Sequence, residues 1–285
     1  MKSYNLIGYL LIALTALGGA LFAPDGWGPW LGLAFSFGYL LLIWFFGGLY
    51  LTDIIHMGIA HKTLDYRPVF MKLVVLLWNT AGIYINPITW VNRHRHHHAF
   101  SDHSGDPNKL DEDGFWRTMY LCIFPYPCRS NLAKDSIFQS WPFRLVSNPY
   151  FAVFSQLASY GILWWLVRDW KYALMLWCAV RVFALWINMI QNYWTHDRRF
   201  GRRLYNDPGD NAVNLDEWLP VTASFSASLQ NNHHHFPHFM RTSHDSQQYD
   251  LGLLTVRVMN RMGLVKASPT GAQVPKGIPL TEIGL

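Results

Sequence analysis

Four stretches of this chain are apolar over about 20 residues, the length that an α-helix needs to cross a bilayer. They cover roughly residues 4–23, 30–51, 149–167 and 171–194. A helix satisfies its own backbone hydrogen bonds in lipid, so these stretches predict four transmembrane helices. Composition agrees, because only 14% of the residues are charged, against about 25% in a typical soluble protein. We therefore predict an all-α integral membrane protein in which residues 1–285 form a single domain.

Another apolar stretch, residues 69–90, is interrupted by polar residues and proline. The interrupting residues are Lys72, Asn79, Asn86 and Pro87. The clean apolar run is about 13 residues long, which is shorter than a spanning helix needs. We therefore expect residues 69–90 to form an in-plane or re-entrant helix.

Basic residues concentrate in two segments, residues 52–148 and 195–285. Loops rich in Lys and Arg stay on the cytoplasmic side of a membrane. We therefore predict cytoplasmic N and C termini and a cytosolic helical cap formed by residues 52–148 and 195–265. The tail, residues 266–285, is rich in Pro and Gly and is expected to be irregular and mobile. No nucleic-acid partner is expected, because the basic residues flank apolar spans.

Histidine is clustered where the apolar stretches end and in the polar segments between them. Most of the 13 histidines lie in four places: His56 and His61, the segment 94–98, His196, and the segment 233–235. With four spans and the basic segments inside, all four places lie on one face of the membrane. Neutral imidazole binds iron, zinc, copper and nickel. So many imidazoles on one face predict a polynuclear metal site in a membrane redox enzyme.

The spacing of the histidines favours convergence on metal. His94, His97 and His98 are spaced i, i+3, i+4, which places them on one face of a helix. His56 and His61 are five residues apart, about 140° around an ideal α-helix. They converge only where the helix ends or is distorted, or else they serve different metals, and Gly58 between them favours a distortion.

Three histidine boxes and one further pair occur in a characteristic order. They are His56–x4–His61, then His94–Arg95–His96–His97–His98 with Ser101–Asp102 and Asp106–Pro107, then Asn192–x3–His196, then Gln230–Asn231–Asn232–His233–His234–His235–Phe236–Pro237. The set resembles the membrane fatty-acid desaturase family, of the acyl-CoA (stearoyl-CoA) type, over roughly residues 30–265. Any single box is a weak signal, whereas the ordered set with spans between is specific.

The resemblance implies a di-iron centre with cytosolic ligands and O2 as co-substrate. The iron ligands that it implies are His56, His61, His94, His97, His98, His196, His233 and His234, with Asn192 as a further ligand through water. The implied substrate is an acyl chain carried on coenzyme A or acyl carrier protein. Electrons are expected from a separate ferredoxin, rubredoxin or cytochrome b5, because the chain has no flavin, haem or iron–sulfur motif.

The third box departs from the acyl-CoA pattern in two places. Gln230 stands where those enzymes have a histidine, which resembles the QxxHH box of front-end desaturases, and it is a candidate ligand through its carbonyl oxygen. Ser226–Ala227–Ser228 replaces the usual Gly-Glu-Gly. An alternative register uses His234 and His235, but the spacing to Phe236–Pro237 favours His233 and His234. One iron is therefore expected to be held differently.

Two features are candidates for substrate binding. Trp44 lies 12 residues before His56, or about 18 Å along a helix, where it could form the floor of an acyl tunnel; the alternative is a packing or lipid-facing role. Four arginines follow His196: Arg198, Arg199, Arg202 and Arg203. They could bind the phosphates of coenzyme A or an acidic carrier protein, or they could serve only as cytoplasmic topology anchors.

Other reactions and classes remain to be separated from desaturation. An acetylenase or hydroxylase on the same scaffold stays open, since removal of one hydrogen precedes the branch between these outcomes. A membrane metal transporter would need ionisable ligands along a path through the spans, whereas these histidines lie on one side. A zinc hydrolase would need a carboxylate beside its ligands, as in HExxH, but Met57 follows His56.

Overall fold

The computed structural model describes residues 1–107, 110–125, 128 and 130–269, with the backbone alone at residues 110–113. This part of the chain is mostly helical. Its α-helices are α1 (Ser3–Leu21), α2 (Pro29–Gly48), α3 (Pro68–Ala81), α4 (Pro87–Phe100), α5 (Leu110–Ile123), α6 (Trp141–Val146), α7 (Pro149–Val167), α8 (Trp170–Asn192), α9 (Trp218–Ala223), α10 (Gln230–His235) and α11 (Leu251–Arg261). A π-helix, Leu49–Ala60, continues α2, and 3₁₀ turns cover Ser136–Gln139 and Trp194–His196. Two short strands are also present, β1 (Leu64–Tyr66) and β2 (Val265–Ala267).

Four helical segments in the described residues are long and apolar enough to cross a membrane. They are Ser3–Leu21, Pro29–Ala60, Pro149–Val167 and Trp170–His196. They coincide with the four predicted stretches, so the prediction of four candidate spans is confirmed. The second and fourth segments run beyond the predicted ends, at residues 51 and 194, and carry His56 and His196 on their last turns.

Local signals in the sequence begin these spans. Pro29 and Pro149 lie in the first turns of α2 and α7, where a backbone N–H is not needed for the helix. The side chain of Asn148 caps α7, and that of Asp169 caps α8, by accepting backbone N–H groups of the first turn. Such caps satisfy donors that have no partner inside the helix. The boundaries of these spans are therefore encoded locally.

Small residues bring α1 and α2 close together. A Cβ atom added at Gly19 would lie 2.9 Å from the Cβ of Ser36, so no larger residue fits there. Close approach through small residues is a common way for helices to associate in membranes. The hydroxyl of Tyr172 in α8 donates to the carbonyl of Gly32 at 2.6 Å and lies 2.7 Å from the Ser36 hydroxyl. Polar contacts inside the bundle therefore fix α8 against α2.

Helix α3 has 14 residues, fewer than a spanning helix needs. This length agrees with the prediction that residues 69–90 do not form a further span. Asn79, fully buried, donates to the Tyr50 hydroxyl at 2.9 Å and accepts from the backbone N–H of Ile85, also at 2.9 Å. These bonds attach the end of α3 to the π-helix and set the direction in which α4 begins.

A two-stranded antiparallel sheet adds one element to the predicted all-α architecture. β1 pairs with β2, with Asp65 opposite Lys266. The side chain of Ser268 also donates to the carbonyl of Lys62 at 2.5 Å. The tail predicted from residue 266 therefore starts later, because residues 266–268 are hydrogen-bonded to the segment after His61. The remainder of that predicted tail, residues 270–285, lies outside the described residues.

Two apolar clusters lie on either side of the segments that carry histidine. One contains Ile54, Ile55 and Val91, which neighbour His56 and His94 in sequence. The other contains Ile190 and Trp194, next to His196, together with residues of α1 and α9. The histidine-bearing helices are therefore held by packing on both sides, which positions their polar faces toward each other.

Candidate metal centre

Eight histidines from four chain segments come together at the ends of the second and fourth spans. They form two groups, and within each group the potential ligand atoms lie within 4.8 Å of one another. We call them the five-histidine group, which is His56, His61, His94, His98 and His233, and the three-histidine group, which is His97, His196 and His234. All eight are histidines predicted to bind iron, so the structure brings all the predicted histidine ligands together.

The five-histidine group has the dimensions of a metal site. The Nε2 atoms of His56 and His233 are 3.0 Å apart, those of His61 and His94 are 2.7 Å apart, and those of His233 and His98 are 3.1 Å apart. Imidazole nitrogens that share a metal at about 2.0–2.1 Å lie about 2.8–3.0 Å apart as neighbours in octahedral geometry and about 3.3–3.4 Å apart in tetrahedral geometry. The nitrogen atoms therefore already have nearly the spacing that one ion imposes.

The π-helix explains how His56 and His61 come into the same group. Hydrogen bonds in a π-helix join residues five apart, and the backbone N–H of His61 donates to the carbonyl of His56 at 3.0 Å. The two rings consequently lie 4.9 Å apart, centroid to centroid. This is the distortion that the spacing of five residues required for convergence.

Helix α4 carries one histidine face that serves both groups. Asn86 caps it by accepting from the backbone N–H of Ile88 and of Thr89. His94 and His98, four residues apart, belong to the five-histidine group, whereas His97 belongs to the three-histidine group. The predicted i, i+3, i+4 face therefore lies between two sites and contributes to each.

A carboxylate supports each member of the three-histidine group. The Nδ1 atoms of His97 and His196 lie 2.9 Å from Asp106 and 3.2 Å from Asp102. The Nδ1 atom of His234 lies 3.0 Å from Asp210. A carboxylate on Nδ1 orients the ring and leaves Nε2 for a metal.

The inward atoms of the three-histidine group fit that arrangement. The Nε2 atoms of His97 and His234 are 3.3 Å apart, and the Nε2 atom of His196 is buried with no hydrogen-bond partner. A buried polar atom without a partner is costly unless a ligand satisfies it. The donor set therefore fits a metal ion.

Burial favours the neutral form of five of the imidazoles. It lowers the pKa of His61, His94, His98 and His233 well below the usual range, and neighbouring imidazoles add to the effect. Burial also lowers the pKa of His234, to about 4. Neutral imidazole is the form that binds metal, so no proton has to be displaced from these rings near neutral pH.

The carboxylates that support the histidines remain ionised. Burial by itself would raise the pKa of Asp102 and of Asp210, but hydrogen bonds from His196 and His234 outweigh it and lower both pKa values. Asp102 lies in the Ser-Asp that follows the second box. Asp210 lies far from any box, and its role was not predicted from the sequence.

Gln230 lies beside the three-histidine group. Its Nε2 atom is 3.0 Å from Nε2 of His234, and its Oε1 atom is buried without a partner. The two ends of an amide exchange places by a half-turn of the group, so either can face the histidines.

Asn192, on the last turn of α8, donates from Nδ2 to the carbonyl of Asn188 at 2.8 Å.

Other histidines of the boxes point away from both groups. His235 stacks on Tyr205 with ring centroids 3.9 Å apart, and its Nδ1 atom lies 2.8 Å from Asp207. The structure therefore brings in His233 and His234, not the alternative pair His234 and His235. His96 lies with Nε2 2.9 Å from the carbonyl of Ser130.

Buried asparagines hold the third box in place. Asn232 donates to the carbonyl of Thr242 at 2.7 Å and to the side chain of Gln248 at 2.8 Å. The side-chain oxygen of Asn232 accepts from Asn214 at 2.7 Å. Asn231 accepts from the backbone N–H of Leu204 at 2.8 Å. The two asparagines of the QNNHH segment thus fix the short helix α10, a role that the sequence analysis missed.

A cavity of about 500 Å³ lies in the span region. Thr52 and Gln191, about one turn before His56 and His196, are among its lining residues. Trp44 also lines it; the indole N–H lies 3.1 Å from the carbonyl of Thr222 and 3.2 Å from that of Ala223. Trp44 is therefore a lining residue attached to the segment that precedes α10.

The four arginines after His196 are engaged within the chain. Arg198 and Arg203 both donate to the carbonyl of Asp210 at 2.8 Å. Arg199 pairs with Asp197, and Arg202 pairs with Asp216 and with Asp245. These contacts hold the loop that carries Asp210, whereas the Arg199 side chain remains 77% exposed.

The described fold and site define a helical membrane protein with a histidine cluster that can hold metal. No protein-family model matches the chain. It is 29% identical over 235 residues to sn-1 stearoyl-lipid 9-desaturase of Anabaena variabilis, covering 79% of this chain and 80% of that protein. It is 25% identical over 259 residues to sn-2 palmitoyl-lipid 9-desaturase of Nostoc sp. (strain 36), covering 86% of each. It is also 25% identical over 234 residues to Delta-9 acyl-lipid desaturase 1 of Arabidopsis thaliana, covering 79% and 72%.

These relatives support the membrane fatty-acid desaturase family and an oxidoreductase activity. Their names refer to acyl chains in lipids, whereas the sequence analysis pointed to the acyl-CoA type. The acyl-CoA type is therefore not confirmed.

Proposed function

We propose that this protein is an oxygen-dependent di-iron desaturase that introduces a double bond into a fatty acyl chain. The observation that carries the proposal is the pair of histidine groups at one end of an apolar cavity in the span region. The cavity can hold an acyl chain along the spans, and Thr52 lines both it and a small pocket beside His56 and His233. A reacting carbon in the cavity thus lies close to the histidines.

The five-histidine group would hold one iron and the three-histidine group the other. Gln230 and, through water, Asn192 are the further ligands proposed for the second iron, whose group supplies fewer imidazoles. Imidazole is a good ligand for iron. Bound iron would activate O2 so that it can oxidise an unactivated CH2 group. Asp102, Asp106 and Asp210 would orient the three rings of the second group.

The proposed reaction removes one hydrogen atom, a proton together with one electron, from each of two neighbouring carbons, and the single electron left on each carbon pairs to form the second bond of the double bond. O2 accepts those two hydrogens together with two electrons and two protons, and leaves as two waters. The two electrons come from a separate ferredoxin, rubredoxin or cytochrome b5. The chain's own part is to hold the metals, to align the acyl chain and to exclude water from the cavity.

We assign the acyl chain to a membrane lipid. Phe37 and Leu41 line the cavity and are 53% and 46% exposed, so we propose that an acyl chain enters from the bilayer beside them. The arginines proposed for coenzyme A are bound within the chain, and the relatives compared above are named for acyl lipids. Coenzyme A and acyl carrier protein are the alternative carriers.

The proposed orientation places both termini and the metal centre in the cytoplasm. The ends of the second and fourth spans share one side, since successive spans cross the bilayer in opposite directions. The Lys and Arg residues of the cap favour the cytoplasmic side.

Product analysis tests the proposal directly. Lipid classes from cells that express the protein are separated, and their acyl groups are identified by gas chromatography with mass detection. A new monounsaturated acyl group is expected with the wild type and with His235→Ala, which alters a histidine outside both groups, and is expected to be absent with His97→Ala. An acetylenic or hydroxylated product would mean that the protein is an acetylenase or a hydroxylase, the alternatives that Gln230 leaves open. The same acyl profile in wild type and His97→Ala would refute an acyl-oxidising enzyme.

A further inference from the structure

Arg181 is a charged residue inside the fourth span, in α8, and it lines the cavity. Charges within spans are costly in lipid and usually mark a functional position. The residues of α8 that line the cavity begin at Val180 and Arg181 and continue to Gln191, near the histidines. Arg181 therefore lies at the end of the cavity that is farthest from the metal centre along this helix.

Neutral groups of α7 and α8 hold the guanidinium in place. It donates to the carbonyl of Trp177 at 2.8 Å, to Gln156 at 2.5 Å and to the Ser159 hydroxyl at 3.3 Å. It also lies 3.3 Å from the centroid of the Trp177 ring, and the Trp177 indole donates to Ser159 at 3.0 Å. Within the described residues no carboxylate forms an ion pair with Arg181.

The depth of Arg181 suits a limit on chain length. Eleven residues of α8 separate it from Asn192, which corresponds to about 16 Å at 1.5 Å per residue. Trp44, by contrast, is hydrogen-bonded to the carbonyls of Thr222 and Ala223, which precede α10. Trp44 therefore borders the cavity on the α2 side, whereas Arg181 borders it on the α8 side.

An alkyl chain gains nothing by reaching a fixed guanidinium. A methyl group placed against the guanidinium displaces polar surroundings of the charge and offers it no hydrogen bond in return. That burial of the charge is unfavourable. The bonds to Gln156 and Trp177 also prevent the side chain from swinging aside. The chain end must therefore stop before Arg181.

We infer that Arg181, held by Gln156, Ser159 and Trp177, forms the floor of the acyl cavity and sets the longest chain segment that fits beyond the reacting carbons. This inference rests on the proposed desaturase function. The substrate class is then acyl chains whose methyl end is saturated and unsubstituted, with a limited number of carbons beyond the reacting carbons.

The test compares Arg181→Ala with Arg181→Met in cells supplied with saturated acids that differ by two carbons. Arg181→Ala opens the floor, so the most strongly desaturated chain is expected to lengthen by at least two carbons. Arg181→Met removes the charge that an alkyl end avoids but keeps most of the volume, so a smaller shift toward longer chains than in Arg181→Ala is expected. Desaturation by Arg181→Ala with an unchanged chain profile would overturn the inference.

A second variant covers the case in which Arg181→Ala does not accumulate in membranes. Gln156→Ala leaves the arginine in place but frees it to swing aside, and Gln156 belongs to α7. Longer chains are expected among its products, and an unchanged profile would count against the floor. If the wild type and His97→Ala give the same products, the proposed function has failed. If the wild type desaturates but the Arg181 and Gln156 variants accept the same chain lengths as the wild type, only the inference about the cavity floor has failed.

Discussion

The backbone N–H of His61 donates to the carbonyl of His56 at 3.0 Å, across five residues and not the four of an α-helix. This single bond closes the last turn of the π-helix that ends the second span. It places two imidazoles on the same side of the chain, where an α-helix would turn them about 140° apart. The five-histidine group therefore depends on a local irregularity of the backbone.

Gly58 should be sensitive to substitution because it lies inside this irregular turn. A Cβ atom added there would lie 2.8 Å from Cε2 of Tyr66, and overpacking of this kind costs about 1–3 kcal/mol. Gly58→Ala is expected to lower the thermal midpoint and to reduce the iron bound per chain, measured by elemental analysis of the purified protein. Gly161→Ala is a suitable control, because a Cβ there meets nothing within 4 Å. Equal iron content and stability in the two variants would contradict the prediction.

Asp210 should control metal binding by the three-histidine group through His234. Asp210→Asn removes the charge that orients the ring, and loss of such a partner costs about 10–100-fold in metal affinity. Competition with a chelator of known affinity measures the change. Asp207→Asn serves as the matched control, since Asp207 pairs with His235, outside both groups. We expect the control to bind metal as the wild type does, and a weakened control would mean that the effect comes from the loop as a whole.

Gln230→His should strengthen the metal position of the three-histidine group. Imidazole is a better ligand for iron(II) than an amide oxygen, and residue 230 lies 3.0 Å from His234 through its side chain. The variant is expected to retain more of its second equivalent of iron during dialysis against a chelator. Retention equal to that of the wild type would indicate that residue 230 does not bind the metal.

Asn232 should be essential for the position of α10. It is fully buried, and its side chain bonds to three different partners in Asn214, Thr242 and Gln248. Asn232→Leu leaves those partners without bonds, at about 1–3 kcal/mol for each buried unsatisfied group. We expect a clear fall in the thermal midpoint of the purified protein together with loss of bound iron. A variant that stays stable and still binds iron would show that α10 does not need this network.

Trp44 should restrain the acyl chain sideways. Its indole is bonded to the segment before α10 and its ring centroid lies 5.0 Å from that of Phe225. Trp44→Ala widens the cavity, so a mixture of double-bond positions is expected, which mass spectrometry of derivatised products resolves. A single bond position combined with longer accepted chains would instead support Trp44 as the floor of the cavity.

Much of the architecture follows from local sequence properties. Apolar length and helix-starting residues such as Pro29 and Asn148 are read along the chain, and they predicted the four candidate spans. The short apolar run before Asn79 likewise predicted a helix that does not span. The site was predicted less completely, because a histidine in a box and a histidine that turns away from it look alike in sequence. His96 and His235 belong to the boxes but bond elsewhere, to Ser130 and Asp207.

The sequence alone determined that the chain is a helical membrane protein with clustered histidines, because apolar length and residue type are properties of single segments. Tertiary structure decided how the histidines divide into two groups, which carboxylates support them and where the cavity ends. Those features depend on contacts between distant segments, such as Asp210 with His234 and Arg181 with Gln156. No spacing along the chain encodes such contacts, since they arise only when the spans and the cap pack together.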